Sequence, residues 1–256
     1  PVSYPINESP TVSGHPVKST ADLDAFRVVD PLYDARVHTF EATMRRMAGL
    51  DLLKGAYVIG PFTLAGLMMG ATEVAIATVD AKELVHAAAA YATGVIVPYA
   101  KALAAAGAEM ICILEPSSMF ISPRAFRRFS GAYVRQIVDA LHATSEDPMT
   151  LLHVCGNAKH LVKAMCETGV QGLSLDAPMD TVATIEAMPE DVVFVGNVDP
   201  VSVMVQSSPE QVASETRGLL EAMTPYPNFI LSTGCDLPPE TPLANIDAFM
   251  RAGRGG

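Results

Sequence analysis

The chain has 256 residues, half of them hydrophobic, and a formal net charge of −11 at pH 7. This length and composition provide a sizeable core for one large α/β domain or two small ones. With 17 Lys and Arg against 28 Asp and Glu, the chain lacks the cationic face that a nucleic-acid partner requires.

The cysteine content and the hydropathy pattern bear on location. Four cysteines are too few for a secreted disulfide scaffold, and the first residues lack the basic and apolar segments of a signal peptide. The alanine-rich stretch 86–110 contains polar residues as well as Gly94, Pro98 and Gly107, so no uninterrupted apolar run approaches the roughly 20 residues of a membrane span. We therefore expect a soluble cytoplasmic protein with no membrane partner.

Residues 1–56 are predicted to form an irregular and helical opening segment. It begins with a stretch that is rich in Pro and Ser, shows no periodicity and has no initiator Met. We expect that an N-terminal portion of the protein precedes this sequence.

From residue 57 onward, short β-rich runs alternate with stretches whose apolar residues recur at three- and four-residue spacing. Two helical stretches, 122–144 and 208–223, begin with Ser-Pro, a helix-start signal. Strands that are apolar on both faces and separated by helices indicate a parallel sheet. The predicted strands are YVIGPF (57–62), EMICILEP (109–116), TLLHVCG (150–156), GLSLDA (172–177), VVFVGNVD (192–199) and FILSTGCD (229–236).

Residues 57–256 show no break in composition and are predicted to be one α/β catalytic domain, a (β/α)8 TIM barrel. Such a barrel has about 250 residues, so six units place its earlier strands in or before residues 1–56; the alternative is an open doubly wound sheet. The strand ends favour the barrel, because all of them open on its catalytic face. Polar or metal-capable residues at these ends are Glu115, His153, Cys155, Asp176, Asn197, Asp199, Cys235 and Asp236.

The pair His153 and Cys155 is the strongest chemical signal. Residues i and i+2 of a strand point to the same side, so both side chains can bind one metal ion. Cys235 takes the corresponding place on the last strand, and two Cys and one His with an open position are a catalytic zinc site. The alternative is structural, because a buried Cys is often a small hydrophobe and a buried His a hydrogen-bonded core residue. Cys112 and Cys166 are assigned to that structural class.

A zinc ion held by two protein thiolates is a weak acid for bound water. A thiol that binds as a further ligand still loses its proton and becomes a nucleophile. The predicted site therefore suits alkyl transfer to sulfur better than hydrolysis.

Six segments carry a further signal: GPFTLAGLMMG (60–70), GAEMICILEPSSMFISPRAFRRF (107–129), HVCGNAKHLVKAM (153–165), GLSLD (172–176), VGNVDPV (195–201) and ILSTGCDLPPETPLANIDAFM (230–250). In this order they resemble successive signatures of the uroporphyrinogen decarboxylase superfamily. The resemblance is greatest to its corrinoid-dependent methyltransferase branch, which includes methylcobamide:coenzyme M methyltransferases.

The resemblance implies a (β/α)8 barrel in which His153, Cys155 and Cys235 bind Zn2+ and are the catalytic residues. It implies methylcobamide as co-substrate on a separate corrinoid protein, and a thiol such as coenzyme M, in one-carbon metabolism of the kind found in methanogenesis. The true decarboxylases of the superfamily bind no zinc and lack both cysteine motifs. A metal-free decarboxylase, a corrinoid-dependent demethylase of methoxylated or methylated compounds, and a non-catalytic barrel are the alternatives.

Three other strand-end residues are candidates for cofactor binding. Glu115 is predicted either to bind the zinc or to orient His153, and otherwise to form a strand-end hydrogen bond. The resemblance implies pocket roles for Asp176 and Asn197, whereas strand-end Asp and Asn often cap the next helix.

The run SPRAFRRF contains Arg124, Arg127 and Arg128. One of these cations would bind a sulfonate, carboxylate or phosphate tail, or all three would form a solvated helix face.

Overall fold

A computed structural model describes residues 2–3, 11–26, 30, 34 and 37–255. The chain divides into two compact units between Thr150 and Leu151, and each is described by itself. The first parallel strand begins at Gly55, and the domain boundary at residue 56 stays a prediction.

The first unit opens with two short antiparallel strands, Val2–Ser3 (β1) and Thr11–Val12 (β2). Two parallel strands follow, paired in register from Gly55 opposite Met110 to Ile59 opposite Leu114. After β1 and β2, the elements in chain order are α1 (Thr20–Leu23), α2 (Val37–Arg46), β3 (Gly55–Ile59), α3 (Pro61–Met69), α4 (Ala71–Asp80), α5 (Lys82–Ala105), β4 (Met110–Leu114), a 3-10 helix (Pro116–Phe120), α6 (Pro123–Phe126), a π-helical turn (Arg127–Gly131) and α7 (Ala132–His142).

Helix α5 is the packing centre of the first unit. It is one continuous helix of 24 residues that includes Gly94 and Pro98. By length and composition it is a helix that could span a membrane, and α3 with α4 would qualify only as a pair bent by 104°. Within the most apolar window of α5, 44% is buried, because its alanine-rich face packs against α3 and α7. Small side chains let these helices approach closely.

Four parallel strands follow in sequence order, β5 to β8, and all of them lie in the second unit except the first two residues of β5. Their carboxyl ends lie at one edge of the sheet, because all four run the same way. Leu152, Val154, Leu173, Leu175 and Phe194 are fully buried in these strands. The elements are β5 (Met149–Val154), a 3-10 helix (Lys159–Leu161), α8 (Val162–Cys166), β6 (Gly172–Leu175), α9 (Thr181–Ile185), β7 (Val193–Val198), α10 (Pro209–Met223), β8 (Phe229–Thr233) and α11 (Leu243–Gly253).

All six predicted strands are confirmed, and all six end earlier than predicted. The prediction for 57–62 was wrong at its end, because Pro61 begins α3 rather than ending β3. A proline at the first helical position costs no hydrogen bond and has a helical φ angle. The predicted start of the helix at 208–223 is confirmed, with a capping box between Ser208 and Gln211.

Candidate metal centre

Three sequence-predicted ligands come together in the second unit. His153 lies in β5, Cys155 follows that strand directly, and Cys235 lies two residues after β8. Their ligand atoms all lie within 4.8 Å of one another, and Nε2 of His153 is 3.9 Å from Sγ of Cys235. Ligands on a tetrahedral zinc with bonds of 2.0–2.3 Å are about 3.5–3.8 Å apart. The three side chains therefore fit a zinc ion after small adjustments.

The burial of the three side chains leaves one side of the cluster accessible. His153 is only 8% exposed, whereas both thiols are half-buried. Val154, between the two ligands of β5, is fully buried on the other side of the strand. This alternation is what directs His153 and Cys155 to one point.

Ser174 orients the imidazole, and sequence reasoning missed it. It lies directly opposite His153 in the register of β5 and β6, and its Oγ is 3.0 Å from Nδ1 of His153. This hydrogen bond leaves Nε2 to face Cys235, as a metal-binding imidazole requires. One prediction gave the orienting role to Glu115; the partner of Nδ1 is Ser174. The signal that could have found it is a hydroxyl in an otherwise apolar strand, two residues before Asp176.

Burial decides the charge state of the three ligands. It lowers the pKa of His153, against opposing contributions from Asp176 and Asp236, so the imidazole is neutral at pH 7. Burial, together with the proximity of Cys235, raises the pKa of Cys155 to about 11, and burial likewise raises the pKa of Cys235. Without a cation the cluster is one neutral imidazole and two thiols, and a bound divalent ion would displace the thiol protons.

Asp176 links the loops that follow two neighbouring strands. Its Oδ2 accepts a hydrogen bond from the backbone N–H of Gly156 at 2.8 Å, and its Oδ1 accepts from that of Ala177 at 2.7 Å. The first of these bonds fixes the loop immediately after Cys155. Both carboxylate oxygens of Asp176 thus accept hydrogen bonds from backbone N–H groups. The role of Asp176 as a cofactor-binding residue stays a prediction.

Asn197 has a similar position on the next strand. Its Nδ2 donates to the carbonyls of Asp176 and Met179, and its Oδ1 accepts from Oγ1 of Thr181 at 2.8 Å. These bonds hold the segment between β6 and α9 against β7. Its predicted pocket role also stays a prediction.

The loop that carries Cys235 is packed tightly beside Asp176. The N–H of Gly234 donates to the carbonyl of Val198 at 2.8 Å, and Oγ1 of Thr233 donates to the carbonyl of Cys235 at 2.9 Å. A Cβ on Gly234 would lie 2.5 Å from the backbone nitrogen of Ala177. Glycine is therefore required where the β8 loop approaches the β6 loop.

Glu115 lies in the first unit and is completely buried. Its Oε1 accepts hydrogen bonds from the backbone N–H of Thr63 at 2.6 Å and from Oγ1 of Thr63 at 3.0 Å, while Oε2 has no hydrogen-bond partner among the described residues. Burial raises the pKa of Glu115 to about 8, although the bonds from Thr63 oppose that rise. The carboxyl group is therefore protonated at pH 7. Its role as a zinc ligand or cofactor contact stays a prediction.

Comparisons with known proteins agree with the predicted family and fold. The sequence model described as Uroporphyrinogen decarboxylase (URO-D) matches residues 1–255. The methylcobamide:CoM methyltransferase MtbA of Methanosarcina mazei is 29% identical over 97% of this chain and 72% of its own length. The uroporphyrinogen decarboxylase of Alkalilimnicola ehrlichii is 30% identical over 94% of this chain and 68% of its own length.

A solved structure gives the fold. A methyltransferase from Methanosarcina mazei superposes with a TM-score of 0.87 at 24% identity, covering all of this chain and 75% of that one. This likeness confirms the predicted α/β fold class of the TIM-barrel type.

Proposed function

The chain belongs to the uroporphyrinogen decarboxylase family, and on that premise we propose that it is a zinc-dependent methyltransferase. It moves a methyl group between a protein-bound corrinoid and a thiol such as coenzyme M. The observation that carries the proposal is the convergence of His153, Cys155 and Cys235 within 4.8 Å. Relatives named methylcobamide:CoM methyltransferase, from three Methanosarcina species, support the reaction class.

Different residues of this chain bind the zinc, orient one of its ligands and fix the surrounding loops. His153, Cys155 and Cys235 hold the zinc, and the hydrogen bond between Ser174 and Nδ1 of His153 orients the ring so that Nε2 is the ligand. When bound, zinc lowers the pKa of an added thiol so that it is a nucleophilic thiolate at neutral pH. Transfer to the thiol converts methyl-Co(III) and R–SH into Co(I), R–S–CH3 and one proton. Asp176 and Asn197 fix the loops around the ligands through their backbone hydrogen bonds.

The exposed side of the cluster is where substrates enter. Both thiols are half-buried rather than enclosed, so a small sulfur compound can approach them from this side. The corrinoid partner is a separate protein, so its cofactor has to reach the same opening. Free thiol ligands require reducing conditions, which supports a location in the cytoplasm.

Metal analysis of the purified protein tests the proposal. We expect about one zinc per chain, because the described residues supply one group of three ligands, and we expect loss of that zinc in Cys235→Ser. The matched control is Cys166→Ser, which changes another partly buried cysteine outside the cluster and should retain the metal. Activity is measured with methylcobalamin and coenzyme M, by following Co(I) formation through its colour. A metal-free protein with full methyltransferase activity would refute the proposal.

A decarboxylase is the second candidate, because relatives named uroporphyrinogen decarboxylase are 25–30% identical to this chain. This reaction needs neither thiol, so Cys155→Ser and Cys235→Ser would both decarboxylate uroporphyrinogen at the wild-type rate. Methyl transfer would be absent in the wild type as well. A screen of methoxylated and methylated compounds with cob(I)alamin tests the corrinoid-dependent demethylase in the same assay.

A further inference from the structure

The first unit contains a cleft of about 460 Å3 that the metal centre does not use. One wall comes from the end of α4 and the start of α5, and the other from the segment Phe120–Phe129 that follows β4. All of its lining residues belong to residues 1–150, whereas the three metal ligands belong to residues 151–256. The cleft volume lies in the range of small-molecule sites, roughly 300–1,000 Å3.

The cleft is cationic in an acidic protein. Its lining includes Lys82, Arg124 and Arg128 and no acidic side chain. All three cations are exposed, and within the described part of the chain none of them forms a salt bridge. Three like charges around one space repel one another, and an anion that enters the cleft removes this repulsion. The chain as a whole carries −11, so this cluster is a local exception.

Arg128 is held in place by a directed chain of hydrogen bonds. Its Nε donates to Nε2 of His86 at 3.1 Å, which requires Nε2 to be an acceptor and the imidazole to be neutral. Nδ1 of His86 then carries the proton and donates to the hydroxyl of Tyr133 at 2.9 Å, and that hydroxyl donates to the carbonyl of His86 at 3.1 Å. These hydrogen bonds occupy Nε of Arg128. Among the described residues both terminal nitrogens of the guanidinium have no hydrogen-bond partner and can bind a ligand.

The ring of Phe129 supports the same arginine. The guanidinium carbon of Arg128 lies 5.1 Å from the centroid of the Phe129 ring. The centroid of the His86 ring lies 4.8 Å from that of the Phe129 ring, and the two rings are tilted relative to each other. Arg128 and Phe129 are part of the π-helical turn Arg127–Gly131, a type of irregularity that is frequent at functional sites. A fixed guanidinium loses less entropy when it binds an anion than a free one does.

The cleft also exposes apolar surface. Phe120 is 67% exposed and Val79 is 76% exposed, and both line the cleft. A ligand that matches these walls has an apolar or planar body in addition to its charge. Inorganic anions lack that body.

We propose that this cleft binds a small organic anion, a carboxylate, sulfonate or phosphate on an apolar or planar body. Arg128, Arg124 and Lys82 contact the anionic group, and Phe120 and Val79 contact the body. His86 and Tyr133 act as positioning residues for Arg128. The proposal does not depend on zinc or on the methyl-transfer reaction.

Calorimetric titration with 1-naphthalenesulfonate tests the site. We expect saturable binding of one molecule per chain, with at least tenfold weaker binding in Arg128→Ala, because charge-assisted hydrogen bonds to the guanidinium are lost. The matched control is Arg127→Ala, which changes the adjacent exposed arginine outside the cleft lining and should bind within twofold of wild type. His86→Phe keeps a ring beside Phe129 and removes the acceptor for Arg128, so binding should weaken severalfold.

Phe120→Ala gives a second test that does not depend on how Arg128→Ala folds. Its side chain is largely exposed, so its loss leaves the core intact and should still weaken binding by fivefold or more. Neutral 1-naphthalenemethanol binding as tightly as the sulfonate would overturn the proposal, as would equal losses in Arg127→Ala and Arg128→Ala. Binding to phosphatidylserine vesicles without any binding of the sulfonate would overturn it in favour of a membrane-surface patch.

Discussion

The hydrogen bond between Ser174 and His153 determines which imidazole nitrogen is available to a metal. With Nδ1 bound to Oγ of Ser174 at 3.0 Å, Nε2 faces Sγ of Cys235. Partners of this kind are worth tenfold to a hundredfold in metal affinity, because they fix the ring and its tautomer. The residue contributes no ligand atom, and its importance comes entirely from its position opposite His153 in the register of two strands.

Ser174→Ala is therefore predicted to weaken zinc binding about tenfold, in line with the effect of losing an outer partner of a ligand. The dissociation constant is measured by competition with a chromophoric chelator at fixed pH. Ser207→Ala removes another single hydrogen bond, from Oγ of Ser207 to the carbonyl of Ser202, and should leave zinc affinity unchanged. Equal affinity in wild type and Ser174→Ala would show that packing alone orients His153.

Glu115 predicts a pH dependence of stability. Its pKa is raised from 4.5 to about 8 by burial in the folded protein, whereas the unfolded chain ionises normally. Between these values unfolding releases a proton, so the contribution of Glu115 is greatest below pH 4.5 and is lost as the pH rises through 8. The slope is about 1.4 kcal/mol per pH unit at most. Glu115→Gln keeps the shape and abolishes this titration.

Denaturant unfolding at pH 5, 6 and 7 measures the effect. The stability of Glu115→Gln relative to wild type should increase at each step. Glu190→Gln is the control, because its exposed carboxyl meets water in both states, and its difference from wild type should stay level. A level difference for Glu115→Gln as well would mean that the buried carboxyl is already ionised.

At the scale of elements, two glycines differ in the space around them: Gly234 is tightly packed, whereas Gly218 has open space beside it. A Cβ at Gly234 would lie 2.5 Å from the backbone nitrogen of Ala177 and 3.0 Å from the carbonyl carbon of Asp176. These are backbone atoms, so the loop after β8 would have to move. A Cβ at Gly218, inside α10, meets nothing within 4 Å.

Gly234→Ala is predicted to destabilise the fold by about 1–3 kcal/mol, as overpacking usually does. It should also weaken zinc binding, because Cys235 moves with the loop. Gly218→Ala should raise the free energy of unfolding by about 0.5–1 kcal/mol, since alanine restricts the unfolded chain and suits a helix interior. Zinc content and thermal melting of both variants check this pair. Normal zinc binding by Gly234→Ala would contradict the assigned packing.

Strand order and strand ends made part of the site predictable. His153, Cys155 and Cys235 lie at the ends of apolar runs, and parallel strands end at a common edge, so the pattern indicated that they could converge. The family resemblance then identified them as one ligand set, and the three side chains do lie together. The role of Ser174 was not predictable, because it depends on the register of β5 against β6, and hydrophobic pattern fixes the facing side but not the partner. The helix start at Pro61 was missed because GPF reads as the end of an apolar run.

At the scale of the whole molecule, the proposed metal would join distant parts of the sequence. His153 and Cys235 are 82 residues apart in the chain, and the preformed cluster exists only when β5 and β8 have both folded. A ligand that binds the folded state alone stabilises it by RT ln(1 + [L]/Kd), which is about 2.7 kcal/mol at a hundredfold excess over Kd and about 4.1 kcal/mol at a thousandfold excess. Zinc at this site should therefore act on global stability.

The melting temperature is accordingly predicted to rise steadily with the logarithm of free zinc, set with a chelator buffer at constant pH and with a reductant present. Cys235→Ser should melt at the same temperature at every zinc level, because two remaining ligands close no complete site. Cys166→Ser should follow the wild-type slope. If wild type and Cys235→Ser respond alike, zinc binds elsewhere or binds the unfolded chain equally well, and the three side chains are a structural cluster without a metal.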